Sequence, residues 1–546
     1  MHVWRGAVRR LLDPPTNHRH DEDDYELLAD DDRASDSLLP HHHHPHHHAH
    51  SRSSHSRSLS LPLPSRRTCL PRTSSLLFSC KSCSLRRLLI SLFLFPLLVT
   101  VLALIWGGIP PDYDDIRGYE RRLAQHNLSL PFPEGEDGLY LRFPGHLWGH
   151  GLNNILQETI LMSYLAYMAN RSFVFEDYVW SHTPFPYTIY DFALRPKRIP
   201  LNAFISGPTA GGPMSLPSSP PSTQFNPQQR QQNTHPRAIS AEWWETVCPK
   251  WKRRVVSSKD APNGEEGDVL IDWWVRTLAE VSDGCVEVDS SSQVVFDRFL
   301  FGSPRILSLW PSLSTSPILQ SYTWSPLVQS AVSRNFALLQ PISPKSLFDI
   351  SSKSTLTGLV AVHLRRGDYK RHCPRLATWE ASFMGLNQFP SLPDKFYPTL
   401  YPSSSSSRSS QSSSLPPSHQ PPTDDPHARE SYYLQHCLPT VPQIVSKLHQ
   451  LRDEHPSLRR VYVLSNGWGW WLNGLKGALQ KDGWDDLKSS LDVRLDGEQK
   501  YVAMAVDMAI AEKAEVFVGN GFSSLSSNVV MLRMAKGLDP STNRFL

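Results

Sequence analysis

Short apolar runs alternate with stretches of helical periodicity between residues 359 and 536, and this alternation constrains the fold more than any other feature. The apolar runs, which are typical of buried strands, span residues 359–363, 460–464 and 516–518. The stretches with apolar residues three and four apart, which are typical of helices, span residues 441–454, 498–513 and 523–536. Strands that alternate with helices form a parallel sheet with right-handed crossovers, so the pattern predicts an α/β fold.

The first of these strands ends abruptly in polar residues, in the sequence LVAVHLRRGD at 359–368. Arg365 and Arg366 therefore follow a strand at the sheet edge where open α/β folds bind ligands. A guanidinium is permanently charged and forked, so it can hold a phosphate through two parallel hydrogen bonds, which favours an anionic ligand. The alternative is that the arginines pair with carboxylates at a domain surface. Display of Arg366, Gly367 and Asp368 as an adhesion tripeptide is disfavoured, because a strand end beside a crevice is a poor place for it.

A second loop, GHGLNN at 149–154, precedes a helical pattern at 153–169 and a strand-like run at 172–175. Its two glycines allow the backbone to approach a ligand, and Asn153 and Asn154 are suited to capping the helix. One asparagine is enough for a cap. Two of them beside His150 favour a helix N-terminus that also faces a ligand.

A third loop, GNGFSSLS at 519–526, joins the strand at 516–518 to the last helical pattern, with Ser523 or Ser524 as the expected N-cap. It lacks the lysine of a P-loop and the spacing of a dinucleotide fingerprint. The preceding helical pattern carries Asp507 among apolar neighbours, where a carboxylate requires a partner. That partner is either a ligand N–H group or an arginine of the protein, Arg366 or Arg533.

The chain of 546 residues is too long for one core. Two stretches rich in Ser and Pro, 206–240 and 402–428, are predicted to be unstructured insertions. The remainder is sufficient for two domains, predicted at 138–345 and 346–546. Tryptophans occur in clusters at 243–244, 273–274 and 468–471, and we expect them in the core more than on a sugar-stacking surface.

Residues 88–106 form a run of 19 residues without a charge, which as a helix would be roughly 28 Å long, close to the thickness of a bilayer core. The run begins too far along the chain for a cleaved signal peptide, which is the competing interpretation. Basic residues precede it and Asp112, Asp114 and Asp115 follow it, so the positive-inside rule predicts a type II membrane protein. Residues 1–87 would then be a disordered cytosolic tail, and 107–137 a stem.

Charge and cysteine usage agree with this topology. Residues 88–546 contain 42 basic and 42 acidic residues, which argues against nucleic acid as a partner. Cys248, Cys285, Cys373 and Cys437 follow the apolar run, in what would be an oxidising lumen. They permit two disulfides in three pairings, and four free buried thiols are the alternative.

The three loops, in this order and spacing, resemble the motif regions of GDP-fucose protein O-fucosyltransferase-like enzymes from about Gly138 to the C-terminus, with interruptions. The resemblance implies a GT-B-like architecture, in which two Rossmann-like domains face each other across a cleft. It places Gly151, Asn153 and Asn154 at the sugar diphosphate and has His363 and Arg365 contact GDP-fucose. Asp507 would face guanine. Nucleotide and phosphate contacts would come from Asn520, Ser523, Ser524 and Ser526.

The resemblance also implies transfer of L-fucose from GDP-fucose to a hydroxyl of a protein or glycan acceptor, with inversion. The one Asp-x-Asp pair, Asp112 and Asp114, lies at the membrane exit, so no metal or other cofactor is expected. Arg365 would then stabilise the departing diphosphate, with Arg366 and Asp368 in support.

For the catalytic base, His150 is the candidate, with Glu158 and Asp368 as alternatives. The expected location is the lumen of the Golgi or ER. Two other hypotheses remain: a transferase of the same fold with another nucleotide sugar, and a non-catalytic, membrane-anchored protein that binds sugar nucleotides or glycans.

Overall fold

The computed structural model describes residues 85–145, 151–181, 183–190, 193–214, 235–289, 294–340, 355–398 and 426–546. The helices are α1 (Leu85–Gly107), α2 (Asp114–Arg121), α3 (Leu152–Met168), α4 (Leu201–Phe204), α5 (Ala241–Val247), α6 (Gly267–Ala279), α7 (Arg298–Phe301), α8 (Trp310–Leu313), α9 (Pro317–Gln320), α10 (Pro326–Arg334), α11 (Phe336–Leu339), α12 (Tyr369–Thr378), α13 (Pro426–Cys437), α14 (Val441–Glu454), α15 (Gly469–Lys481), α16 (Ala503–Lys513) and α17 (Ser524–Ala535).

The strands are β1 (Tyr140–Arg142), β2 (Ser172–Phe175), β3 (Tyr178–Val179), β4 (Tyr187–Tyr190), β5 (Ala193–Pro196), β6 (Arg198–Ile199), β7 (Ile205–Ser206), β8 (Ile239–Ser240), β9 (Arg253–Ser257), β10 (Cys285–Asp289), β11 (Thr323–Trp324), β12 (Leu356–Leu364), β13 (Arg460–Ser465), β14 (Asp486–Ser489), β15 (Ala514–Gly519) and β16 (Asn543–Phe545). Ten of them form two five-stranded sheets. The other six form short antiparallel pairs.

The first sheet has the order β8-β2-β1-β10-β9, and all its neighbours are parallel. The chain moves from β1 through α3 to β2, and returns later to place β10 on the other side of β1. The helix expected at 153–169 is α3, one residue earlier at each end, and the strand expected at 172–175 is β2.

The second sheet has the order β14-β13-β12-β15-β16 and is also entirely parallel. One face of its central strand packs Val360, Val362 and Leu364 against α14 and α15. The other face packs Leu359 and Ala361 with the apolar residues of α16 and α17. Burial on both faces explains why this strand is an unbroken apolar run. The predicted α/β fold with parallel sheets is confirmed.

Several bounds differ from the sequence-based ones. The strand expected at 359–363 extends over Leu356–Leu364, and the single helix expected at 498–513 is a 3₁₀ turn at Gln499–Val502 followed by α16. Elements α12, α13, α15, β14 and β16 were not predicted.

The predicted insertion at 206–240 is folded at both ends. A buried 3₁₀ turn covers Pro208–Ala210, and β8 pairs with β2. Gln125 joins the two ends, since its Nε2 donates to the carbonyls of Gly211 (2.9 Å) and Ala238 (2.6 Å). The second insertion, expected at 402–428, overlaps the start of α13 at Pro426. The central parts of both insertions lie outside the described residues.

The expected stem at 107–137 is not separate from the fold. Tyr113 and Leu123 are buried in the main hydrophobic cluster, and α2 is joined to the first sheet region by the ion pair of Arg117 with Asp177 (3.1 Å). The Tyr113 hydroxyl also donates to the carbonyl of Glu498 in the second half of the chain (3.1 Å). Residues 113–137 therefore belong to the folded body, which corrects the expectation.

The two halves of the chain share an extensive interface. Helix α10 precedes the expected boundary at 345 but packs against α16. Arg334 at its end pairs with Asp496 (3.0 Å), and Asn335 exchanges hydrogen bonds with the backbone of Arg494. One hydrophobic cluster continues through both halves.

Two disulfides join Cys248 to Cys285 and Cys373 to Cys437. This result selects one of the three pairings that the sequence left open. Helix α1 includes the whole apolar run at 88–106, and the side chains described in it begin at Leu92. Within the described residues, none of the helices combines the length and the apolar character that a bilayer crossing requires.

Candidate anion-binding site at the edge of the second sheet

The order of the second sheet reverses direction at β12, because β13 and β14 lie on one side and β15 and β16 on the other. In a parallel sheet this switch point leaves a crevice at the carboxyl ends of the two central strands. The arginine loop (365–368) follows β12, and the serine loop (519–526) ends β15 and opens α17. The topology thus places both loops at the same crevice.

Arg365 and Asp368 form the charged centre of the arginine loop. The Arg365 Nε lies 3.1 and 3.0 Å from the two carboxylate oxygens of Asp368, and its Nη2 lies 2.8 Å from Oδ2. One third of the Arg365 side chain remains exposed, whereas that of Asp368 is almost entirely buried. Burial alone would raise the pKa of Asp368, but Arg365 and hydrogen bonds reverse this and hold it below its usual value.

Arg366 points away from Arg365 and is 8% exposed. Its Nη2 donates to the carbonyl of Pro439 (2.5 Å), and its guanidinium lies 4.0 Å from the ring centre of Trp471. Burial lowers its pKa to about 10, so it stays charged at neutral pH. Its contacts are all within the protein frame, consistent with a supporting role.

Asn466 links the two arginines and was missed by sequence reasoning. Its Oδ1 accepts from the backbone N–H of Arg366 (2.8 Å), and its Nδ2 donates to Asp368 (3.0 Å). It directly follows β13 at the same sheet edge, and this position is the signal that could have identified it. Tyr369 was also missed. Its ring lies 5.4 Å from the Arg365 guanidinium, and its hydroxyl donates to the Phe522 carbonyl (3.4 Å).

His363 and Ser526 connect the two loops. His363 Nδ1 lies 2.9 Å from Ser526 Oγ, which also accepts from the backbone N–H of Asn520 (3.0 Å). Burial, and secondarily the charge of Arg365, lower the pKa of His363 to about 3, so the ring is neutral at physiological pH.

The amino end of α17 faces this arrangement. Ser523 occupies the N-cap position, as predicted, and Ser524 is the first helical residue. The Ser523 side chain makes no capping hydrogen bond to the backbone of α17 and instead forms a hydrogen bond with the Tyr369 hydroxyl. A helix N-terminus carries partial positive charge and amide N–H donors, which together favour an anion.

Gly521 in the serine loop is required by close packing. A Cβ at this position would lie 2.4 Å from the Phe383 ring. The Gly521 carbonyl also accepts from the backbone N–H of Met384 and from the Asn387 side chain, both at 2.9 Å. The serine loop is therefore tightly packed against the Phe383 ring at Gly521.

Asp507 is partly buried on α16 and is held by neutral donors. It accepts hydrogen bonds from the Tyr462 hydroxyl (2.5 Å) and from Ser490 Oγ (2.7 Å). Burial raises its pKa to about 6, against the lowering effect of these two bonds. Of the two alternatives, pairing with Arg366 or Arg533 is wrong, because Arg366 binds Pro439 and Arg533 binds Asn543 and main-chain carbonyls.

The asparagines of the loop at 149–154 do not cap α3. The helix begins at Leu152 with Gly151 as N-cap, so Asn153 and Asn154 lie inside the first turn. Asn153 instead reaches the second half of the chain, where Asn528 Nδ2 donates to its carbonyl (2.9 Å) and to its Oδ1 (3.1 Å). The structure therefore brings Asn153 to α17. Gly151 is exposed, with open space where a Cβ would be.

The three candidate bases have different positions. His150 lies outside the described residues. Glu158 is 2% exposed within α3. Asp368 is engaged by Arg365 and Asn466, and its lowered pKa makes it a poor proton acceptor, so the structure argues against Asp368 as the base.

The tryptophan clusters divide between core and surface. Trp244 and Trp274 are fully buried, as expected. Trp468 and Trp470 are exposed, with parallel rings 6.2 Å apart, so the core expectation is wrong for these two.

The sequence matches no protein-family model and no curated protein. Solved structures resemble the chain weakly. POFUT1 in complex with GDP-fucose has a TM-score of 0.39 and 14% identity, covering 75% of this chain and 98% of that one. POFUT1 in complex with GDP has the same four values, and its apo-form has a TM-score of 0.38 and 16% identity, covering 74% of this chain and 97% of that one.

Proposed function

We propose that this protein is a glycosyltransferase that transfers L-fucose from GDP-fucose to a hydroxyl of a protein or glycan, with inversion and without a metal. The observation that carries the proposal is the position of two loops, 365–368 and 519–526, at the switch point of the second sheet. There Arg365 is oriented by Asp368 and remains one-third exposed beside the amino end of α17.

In the proposed reaction, the bond between the anomeric carbon and the β-phosphate oxygen breaks, and its electron pair stays on GDP. The acceptor oxygen bonds to the opposite face of the sugar, and its proton passes to a base. Negative charge therefore grows on the diphosphate, where fixed donors stabilise it. Arg365 supplies one charged fork, and the first-turn N–H groups of α17 supply partial positive charge.

His363 contributes a neutral donor in this proposal. When the Ser526 hydroxyl donates to Nδ1, the single ring proton resides on Nε2, where it is available to a ligand oxygen. A ring with a pKa of about 3 keeps this form throughout the physiological range. Asp507 would accept a guanine N–H group beside Tyr462 and Ser490. Asn153 and Gly151 would border the diphosphate from the first half of a GT-B-like cleft, and His150 would act as base.

We also propose a type II membrane protein with its catalytic part in the lumen of the Golgi or ER. The charge asymmetry around residues 88–106 supports this topology. The two disulfides support it further, since such bonds persist in oxidising compartments and both follow the apolar run.

A donor screen tests the proposal. The full-length chain is compared by thermal shift with GDP, GDP-fucose, GDP-mannose and UDP-sugars, and slow hydrolysis of the bound donor is followed without any acceptor. Stabilisation by GDP and GDP-fucose with release of fucose is the expected result. Preference for a UDP-sugar would replace the donor assignment. Binding of GDP-fucose without any turnover would favour the non-catalytic binding protein.

A further inference from the structure

The segment 437–440, which runs from the last residue of α13 to the residue before α14, contacts both loops of the candidate site. The carbonyl of Cys437 accepts from Asn520 Nδ2 of the serine loop (2.7 Å), and the carbonyl of Pro439 accepts from Arg366 Nη2 of the arginine loop (2.5 Å). Asn520 is 1% and Arg366 is 8% exposed, so water competes little for either bond. One short segment therefore holds one residue from each loop.

From Asn520, the contacts continue to His363. The same residue that binds the Cys437 carbonyl donates its backbone N–H to Ser526 Oγ (3.0 Å), and Ser526 Oγ lies 2.9 Å from His363 Nδ1. A shift of Cys437 would move the shared Asn520 and, through Ser526, the imidazole of His363.

From Arg366, a second series of contacts reaches Arg365. The Arg366 backbone N–H donates to Asn466 Oδ1 (2.8 Å), Asn466 Nδ2 donates to Asp368 (3.0 Å), and Asp368 holds the Arg365 guanidinium. His363 and Arg365, two of the side chains expected to meet the ligand, are thus positioned from the same segment.

Cys437 is fixed in turn by its disulfide to Cys373. Cys373 lies in α12, the helix that begins immediately after Asp368, and both half-cystines are fully buried. The two residues are 64 positions apart in the sequence. The cross-link therefore ties the supporting segment covalently to the helix that continues the arginine loop, in addition to the Arg429–Glu380 ion pair and the hydrogen bond from Tyr433 to the Ala381 carbonyl.

We propose that the Cys373–Cys437 disulfide is a positioning cross-link of the anion-binding site, acting through the Cys437 and Pro439 carbonyls. The inference rests on the proposed function only in that the ligand is taken to be a nucleoside diphosphate. The Cys248–Cys285 disulfide is a matched control. It connects Cys248, directly after α5, to Cys285, the first residue of β10 in the first sheet. It therefore lies at the amino end of its strand, whereas the candidate site lies at the carboxyl ends of strands in the second sheet.

The test compares the full-length protein with the two double variants Cys373→Ala/Cys437→Ala and Cys248→Ala/Cys285→Ala, using calorimetric titration with GDP. Both variants should lose thermal stability. Only the first should weaken GDP binding, by at least tenfold relative to wild type. Equal GDP affinity in both variants, at temperatures where both remain folded, would overturn the proposal. Absence of GDP binding by the wild type would instead overturn the proposed function.

A double-mutant cycle separates positioning from general loosening of the fold. Asn520→Ala is introduced into the wild type and into Cys373→Ala/Cys437→Ala, so that any loss unrelated to Cys437 is the same in both backgrounds. If the disulfide acts through Asn520, the substitution should weaken GDP binding severalfold in the wild type and less than twofold without the disulfide. Equal effects in the two backgrounds would contradict that route.

Discussion

Both parallel sheets place their first strand at the centre, but they differ in the order of their last two strands and in the charge at their switch points. At the first, Arg142 ends β1 and is surrounded by carboxylates, with Glu176 at 2.9 Å, Glu287 at 3.4 Å and Glu245 at 3.7 Å. At the second, Arg365 follows β12 and meets Asp368 on one side, with a third of its side chain open. At the first edge Arg142 and Arg253 share three carboxylates, so this group is net negative, whereas Arg365 and Asp368 balance each other and a third of the Arg365 side chain is exposed.

The comparison shows that a strand-end arginine alone does not make an anion site. An anion site also depends on how many carboxylates surround the arginine and on the partial charge that the end of the neighbouring helix presents. The ion pairs of the first edge stabilise its own fold, whereas at the second edge we propose that an anionic ligand contacts the exposed part of Arg365.

The largest effect should come from Arg365→Ala. Loss of a charge-assisted fork costs about 3 kcal/mol, which corresponds to about a hundredfold weaker GDP binding, and fucose transfer should be abolished. Arg142→Ala is the matched control at the first edge and should leave GDP affinity within about twofold while lowering thermal stability. Calorimetric titration and thermal unfolding of both variants give the comparison. Near-normal activity of Arg365→Ala would contradict the assignment.

Asp507→Asn tests the partly buried carboxylate of the second region, which has no arginine partner among the described residues. Its pKa is raised to about 6 in the folded protein, above the ordinary value of about 4. Stability from the native protonated form is therefore present below about pH 4 and lost as pH rises through about 6. Unfolding midpoints should show the wild type losing about 2 to 3 kcal/mol relative to Asp507→Asn between pH 4 and 7. A difference that is independent of pH would refute the pKa shift.

Two glycines, one in a loop of each half, provide the next contrast. A Cβ at Gly521 would overlap the Phe383 ring, whereas a Cβ at Gly151 would meet open space at a φ of −62°. Gly521→Ala should therefore destabilise the protein by about 1 to 3 kcal/mol, and Gly151→Ala by less than about 0.5 kcal/mol. Chemical unfolding of the two variants measures the difference. Equal losses would show that the serine loop is less tightly packed than the structure indicates.

The smallest expected effect is that of Ser526→Ala. It removes the partner of His363 Nδ1 and of the Asn520 N–H, which should weaken GDP binding about fivefold, equivalent to about 1 kcal/mol. Ser527→Ala is the neighbouring control, since Ser527 Oγ accepts from Gln157 on α3 and does not contact His363. A larger loss in affinity for Ser527→Ala would shift the binding role to the interface between the halves.

In the second sheet the central strands were predictable and the edge strands were not. Strands β12, β13 and β15 are buried on both faces and therefore read as apolar runs. Strand β14 has the sequence DLKS and lies at an edge, and β16 is three residues long, so neither has a period that distinguishes it from a loop. Helix α12 carries Pro374 internally, which ordinarily argues against a helix.

In the candidate site, the convergence of His363, Arg365 and Ser526 follows from rules about strand ends. Their partners do not. A sequence does not specify that Asp368 orients Arg365. This ion pair is what makes Asp368 unsuited to act as a base. Nor does the sequence show which main-chain carbonyls accept side-chain hydrogen bonds, as that of Pro439 does. Every residue has a carbonyl, and only the fold determines which of them are used.

A crystal structure of the full-length protein with GDP tests the central claim most directly. We expect the diphosphate between Arg365 and the amino end of α17, with His363 and Ser526 beside it and the edge around Arg142 unoccupied. A diphosphate bound at Arg142, or one that leaves Arg365 paired only with Asp368, would contradict this account.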